Sequence, residues 1–119
     1  MRLEEEAKKF MQSVNKSLIT ANEYQEKCKA TAIYPKKDAI AYLSLGLVSE
    51  AGEVAGKVKK NIRDGTESNV ASEIGDVLWY CAVLASDLNV SLGTIAAQNI
   101  EKLERRKSLG TLQGSGDKR

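Results

Sequence analysis

Leu45-Gly46-Leu47-Val48-Ser49-Glu50-Ala51-Gly52-Glu53-Val54 and, further on, Ser72-Glu73-Ile74-Gly75-Asp76-Val77-Leu78-Trp79-Tyr80 decide how this chain folds. Both stretches are patterned as helices, and each carries two acids three residues apart. Residues at that spacing point the same way, so Glu50 and Glu53 share one face and Glu73 and Asp76 another. Packed side by side, the helices would gather four carboxylates into a small volume. Two unit charges ~4 Å apart repel by roughly 4 kcal/mol at an effective dielectric of about 20. Such a cluster needs a cation to stay ionised in a partly buried site, and a magnesium site is the simplest hypothesis.

The pattern extends outward from these segments. Asp38 suits the N-cap of a helix over about 39–63, whose apolar stripe is Leu47, Ala51, Val54, Val58 and Ile62. Gly46, Glu50, Glu53 and Lys57 form a second stripe beside it at 100° per residue, so the acids flank the core. Asp64-Gly65 ends this helix, glycine suiting the left-handed position after it. The next helix spans about 70–88, with Val70, Ile74, Val77, Cys81, Leu84 and Leu88 inward and Glu73, Asp76 and Tyr80 on an adjacent face. Ser91 caps a last helix over about 92–108, where Leu92, Ala96, Ile100 and Leu103 are expected inward and Asn99, Lys102 and Arg106 share a neighbouring face.

Towards the N-terminus, Thr20-Ala21-Asn22-Glu23 fits a capping box, which starts a helix near Ala21 that runs to about Ala32. Tyr34-Pro35 interrupts the pattern, because the residue before proline is pushed out of the helical region. Leu3, Ala7, Phe10, Val14 and Leu18 give a separate amphipathic helix over 1–18. Three segments result: an N-terminal helix in 1–19, a helical domain over 20–108 and a glycine-rich basic tail over 109–119. Alone, that tail reads as a disordered terminus. The fold class is all-α: an antiparallel bundle of about four core helices plus the N-terminal one.

A chain of 119 residues makes one domain. With 18 basic and 16 acidic residues, overall charge argues for neither nucleic acid nor membrane as a partner. Glu4, Glu5 and Glu6 interrupt any apolar run, so no signal peptide is expected, and no run approaches the ~20 apolar residues of a membrane span, so a cytoplasmic protein is expected. Cys28 and Cys81 have no zinc or redox spacing and suit a reducing compartment. Histidine is absent, which removes Ser-His-Asp and Cys-His catalysis, imidazole zinc sites and histidine phosphotransfer together. Any chemistry must use carboxylates, metal-activated water and cations.

A lone acid pair on a helix is ordinarily a solvated face. The second pair, the position of both beside apolar stripes, and the small Ala51, Gly52 and Gly75 between the acids favour the metal reading. Glycine inside a helix costs ~1 kcal/mol against alanine and needs a packing or access reason. Only oxygen ligands are on offer, which selects a hard cation: magnesium, with manganese substituting. Lys57 is either an i,i+4 partner of Glu53 or a contact for a phosphate, and the Asn99-Lys102-Arg106 face offers an amide and two cations to a phosphate or sugar. Trp79 and Tyr80 are read as core aromatics.

Taken together, these motifs resemble the MazG-like, all-α nucleoside triphosphate pyrophosphohydrolases, whose pattern is ExxE on one helix and ExxD on the next. Besides the two acid stretches, Asn99-Ile100-Glu101-Lys102-Leu103-Glu104-Arg105-Arg106 and Gly114-Ser115-Gly116-Asp117 resemble the family, and the likeness runs from about Tyr24 to the end. The resemblance implies hydrolysis of a (deoxy)nucleoside triphosphate to the monophosphate and pyrophosphate, for nucleotide-pool house-cleaning. It implies magnesium held by Glu50, Glu53, Glu73 and Asp76, which are also the catalytic residues, with Lys57, Asn99, Lys102 and Arg106 near the phosphates or sugar. It further implies a homo-oligomer, a tetramer rather than a dimer, with sites completed by more than one subunit. The dimeric dUTPase-like branch has a water-activating glutamate just before the first ligand. Ser49 stands there in this chain, which leaves the ligand carboxylates or metal-activated water for that task. The rival readings are a phosphoribosyl-ATP pyrophosphohydrolase and a non-catalytic helical interaction module.

Overall fold

The computed structural model describes residues 2–13 and 18–119. Among them the chain is all-helical: α1 (Arg2–Ser13), α2 (Ala21–Cys28) closed by a 3-10 turn (Lys29–Thr31), α3 (Ala39–Asp64), α4 (Val70–Asp87) and α5 (Leu92–Ser108). The expected capping box starts α2: Glu23 donates its N–H to Thr20 Oγ1 at 3.1 Å, and Thr20 donates to Glu23 Oε1 at 3.0 Å. Asn69 and Ser91 cap α4 and α5 through their side chains, whereas Asp38 precedes α3 without accepting a capping hydrogen bond.

α3 and α4 form an antiparallel hairpin, and its short connection explains the register. Gly65 takes the left-handed conformation (φ 66°) and returns its N–H to Asn61 O at 2.9 Å. The buried Asn61 donates to Thr66 O at 2.7 Å, and the buried Ser68 donates to Lys57 O at 3.2 Å. The connection is thus tied to the last two turns of α3, and α4 starts its return at a fixed level.

Leu43, Ala82, Val83 and Cys28 form the buried centre, with Tyr24, Ala32, Tyr34, Trp79, Tyr80, Leu84 and Leu92 packed around it. At the far end of α4 the chain bends sharply, and α5 leaves at 104° to α4. The buried Gln25 of α2 holds that corner. It donates to Ala82 O, Ser86 Oγ and Val90 O (3.4, 3.0 and 2.9 Å) and accepts from Leu92 N–H at 2.8 Å.

Several expected faces are corrected by this arrangement. α5 diverges from the hairpin, so within one chain Leu92 is half-buried while Ala96, Ile100 and Leu103 stay exposed. On α4 the fully buried residues are Ala82, Val83 and Ala85; Ile74 and Leu88, expected inward, are exposed. On α3 they are Ala39, Leu43 and Asn61, while Ala51 and Ile62 face out and Leu47, Val54 and Val58 are half-buried. These helices are apolar on more than one side, and periodicity finds an apolar face without saying which neighbour covers it. α1 packs on α4 with no residue fully buried. Its described part ends at Ser13, Leu18 is non-helical and exposed, and the expected inward Val14 lies outside the described residues. The radius of gyration is 17.0 Å, against ~13–14 Å for a compact domain of this length.

The tail is folded rather than disordered. Arg119 donates to Thr111 O, Leu112 O and Gly116 O, and Thr111 donates its N–H to Arg106 O at 2.8 Å. Gly110 and Gly116 supply the positive φ values (71° and 82°) that these turns require.

Candidate metal centre

The antiparallel hairpin sets Glu50 of α3 opposite Glu73 and Asp76 of α4. One carboxylate oxygen from each of the three lies within 4.8 Å of the others, with Glu50 and Glu73 half-buried and Asp76 exposed. Glu53, expected as the fourth, is exposed and stands outside this trio. The Glu50 carboxyl is held above its ordinary range, first by burial and then by the charges of Asp76, Glu73 and Glu53.

Lys57 lies one level nearer the connection. Its ammonium meets Glu73 Oε1 at 3.5 Å across the hairpin, rather than the Glu53 of its own helix. Three carboxylates and one facing ammonium leave a net charge of −2 within a few ångströms. That excess of hard oxygen donors fits a divalent cation, and the donor set suits magnesium or manganese rather than zinc.

Aromatic groups border the acids: Trp79 and Tyr80 pack against the core as expected, and Tyr80 also reaches the acid face. Tyr80, one turn after Asp76, packs its ring onto Gly46, one turn before Glu50. Its hydroxyl is pushed up by burial, then by Tyr42, Glu50 and Asp76. Tyr24 is pushed far above the usual phenol range by burial, a hydrogen bond with Cys28, and the charges of Cys28, Asp76 and Cys81. The signal available in sequence was the four-residue spacing of Gly46 to Glu50 and of Asp76 to Tyr80.

The residues expected near phosphate or sugar do not gather around the trio. Asn99 and Lys102 line an open groove of about 490 Å³ along α5, together with Ile95, Gln98, Glu101 and Arg105, and none of the three acids takes part in it. Arg106 is 4% exposed and donates through Nη2 to Asp117 O at 3.0 Å, while its buried Nε has no partner among the described residues. The shared face expected for Asn99, Lys102 and Arg106 is therefore divided: two residues open to the groove and one is drawn into the tail.

An all-helical chain whose central hairpin pairs ExxE with ExxD around a compact acid trio belongs to the MazG nucleotide pyrophosphohydrolase family, whose domain profile matches residues 39–109. It is similar to the Gene 37 protein of Mycobacterium phage L5, with 45% identity over 109 residues covering 81% of this chain and 96% of that relative. No solved structure matches it significantly. Among the described residues, no single helix is long and apolar enough to cross a membrane.

Proposed function

We propose that this protein is a magnesium-dependent nucleoside triphosphate pyrophosphohydrolase that converts (d)NTPs to the monophosphate and pyrophosphate, a cytoplasmic house-cleaning enzyme of the nucleotide pool. The observation that carries the reading is the convergence of Glu50, Glu73 and Asp76 within 4.8 Å across the family's paired motifs. These three would hold the ion, with Glu53 as the further carboxylate of the same motif. Bound there, magnesium, or manganese in its place, would neutralise phosphate charge and lower the pKa of an attacking water.

The chain's own groups then position and discriminate. Lys57 balances Glu73 and keeps its carboxylate directed across the hairpin. Asn99 and Lys102 offer an amide and an ammonium to the sugar and phosphates, while Arg106, at the end of the same helix and buried against the tail, anchors Asp117. In-line displacement at the α-phosphorus needs little covalent help from protein, so placing these charges is most of the task.

Because α5 diverges from the hairpin, its groove serves the acids best from another subunit. Support for a homo-oligomer, a tetramer in this proposal, comes from the exposed Leu45, Val48, Ile62, Ile74 and Ile100 and from the open shape. The test is a panel of (d)NTPs with magnesium and identified products. Release of pyrophosphate is expected; no turnover on any nucleotide, or orthophosphate as the first product, overturns the reading.

A further inference from the structure

Gly46 is a helical glycine with a neighbour pressed against it. A Cβ built there would lie 2.5 Å from Tyr80 Cζ and 2.8 Å from Cδ1, inside any real carbon contact. Gly52, Gly56 and Gly75, in the same two helices, would meet nothing within 4 Å. The crowding is therefore local, and it sits one turn from the acids on both helices: Gly46 precedes Glu50 by four residues, and Tyr80 follows Asp76 by four. In an antiparallel pair this puts the ring-on-glycine contact one level beyond the trio, while Lys57–Glu73 lies on the side of the connection.

The ring also meets an anchored aromatic neighbour. Trp79 meets it edge-on, with centroids 5.0 Å apart at 82°, and Trp79 is anchored by Nε1 donating to Thr31 Oγ1 at 2.8 Å. A flat ring seated on bare backbone, beside that neighbour, acts as a shim of fixed thickness between α3 and α4.

We propose that Gly46 and Tyr80 form a spacer that sets the gap between α3 and α4, and thereby the separation of the Glu50, Glu73 and Asp76 oxygens that receive the divalent ion. This rests on the metal-site reading above, and Tyr80 is a positioning residue in it. Thickening the contact or removing the ring changes the gap, and a cation that requires near-ideal oxygen distances registers the change.

The test is manganese binding to the EDTA-stripped full-length protein, followed by electron paramagnetic resonance of the free ion, with metal-free melting recorded in parallel. Gly46→Ala is expected to weaken manganese about 10–100-fold, as loss of an orienting neighbour does at metal sites. Tyr80→Leu is expected to weaken it likewise, while Tyr80→Phe, which keeps the ring, stays near the native affinity. In the Tyr80→Leu background, Gly46→Ala should cause no further loss. A Gly46→Ala protein that melts higher, as helix propensity alone dictates, and binds manganese as tightly as native overturns the proposal. So does native affinity in Tyr80→Leu, which keeps the question decidable if Gly46→Ala does not fold, and so does equal loss in Tyr80→Phe and Tyr80→Leu. Native protein that binds no manganese sinks the metal reading and the spacer together, whereas native binding with unaffected variants sinks the spacer alone.

Discussion

At Glu50, burial and the neighbouring carboxylates act in the same direction, and both favour the protonated acid. A carboxyl raised on folding binds its proton more tightly in the native state, so its contribution to stability declines as pH rises from the ordinary value of 4.5 through the raised one. Without divalent ions, native protein should therefore lose stability relative to Glu50→Gln between acidic and neutral pH. Denaturation in EDTA at several pH values measures this, and parallel curves would contradict it. Magnesium should reverse the comparison at neutral pH, because only the native trio can use it. For turnover, Glu50→Gln and Asp76→Asn should stay folded by circular dichroism and lose about 10²–10³-fold in kcat, the scale of removing a preorganised electrostatic contact. Full activity in both would take the acids out of the reaction.

The element scale is governed by two devices, the loop that returns α4 along α3 and the corner that turns α5 away. Gln25 was not singled out in the sequence, because one glutamine in an amphipathic helix looks like any surface residue. Its importance is tertiary: it satisfies the exposed backbone groups where α4 ends and α5 begins. Gln25→Leu leaves the Leu92 N–H and Val90 carbonyl without that partner, and a loss of about 2–4 kcal/mol is expected in urea unfolding. A loss within the ~0.5 kcal/mol of a neutral surface change would show the corner to be held by packing instead. Thr20→Ala, which removes half of the capping box, should cost about 1 kcal/mol by the same measurement.

For the whole molecule, the expected property is assembly. Leu45 and Val48 are 72% and 70% exposed on α3, turned roughly 140–160° round the helix from Glu50. A contiguous apolar patch left open in one chain marks a surface that another chain covers, and these two side chains, three residues apart on one helix, are where that is tested. Val48→Lys should lower the mass measured by light scattering and reduce activity with it, while helix content by circular dichroism is retained. Unchanged mass and activity would show that this face is not an interface. A non-hydrolysable triphosphate with magnesium at about 100 times its Kd should stabilise the assembled protein by ~2.7 kcal/mol, readable as a rise of several degrees in Tm.

The sequence by itself determined the central helices, the Thr20 and Ser91 caps and the acid spacing, because these depend on interactions within a few residues. The capping box at Thr20 and the stop at Gly65 were legible for that reason, as was the three-residue spacing of Glu50/Glu53 and Glu73/Asp76. Only the tertiary structure decided which acids converge, since Glu53 differs from Glu50 in its angle to α4 rather than in chemistry. It also decided that Lys57 pairs with Glu73, that Arg106 turns into the tail, and that α5 leaves the hairpin at 104°. Each of those outcomes depends on the distance and angle between two helices. A loop, a buried glutamine and a ring against a glycine set these quantities, and no period along a single helix encodes them.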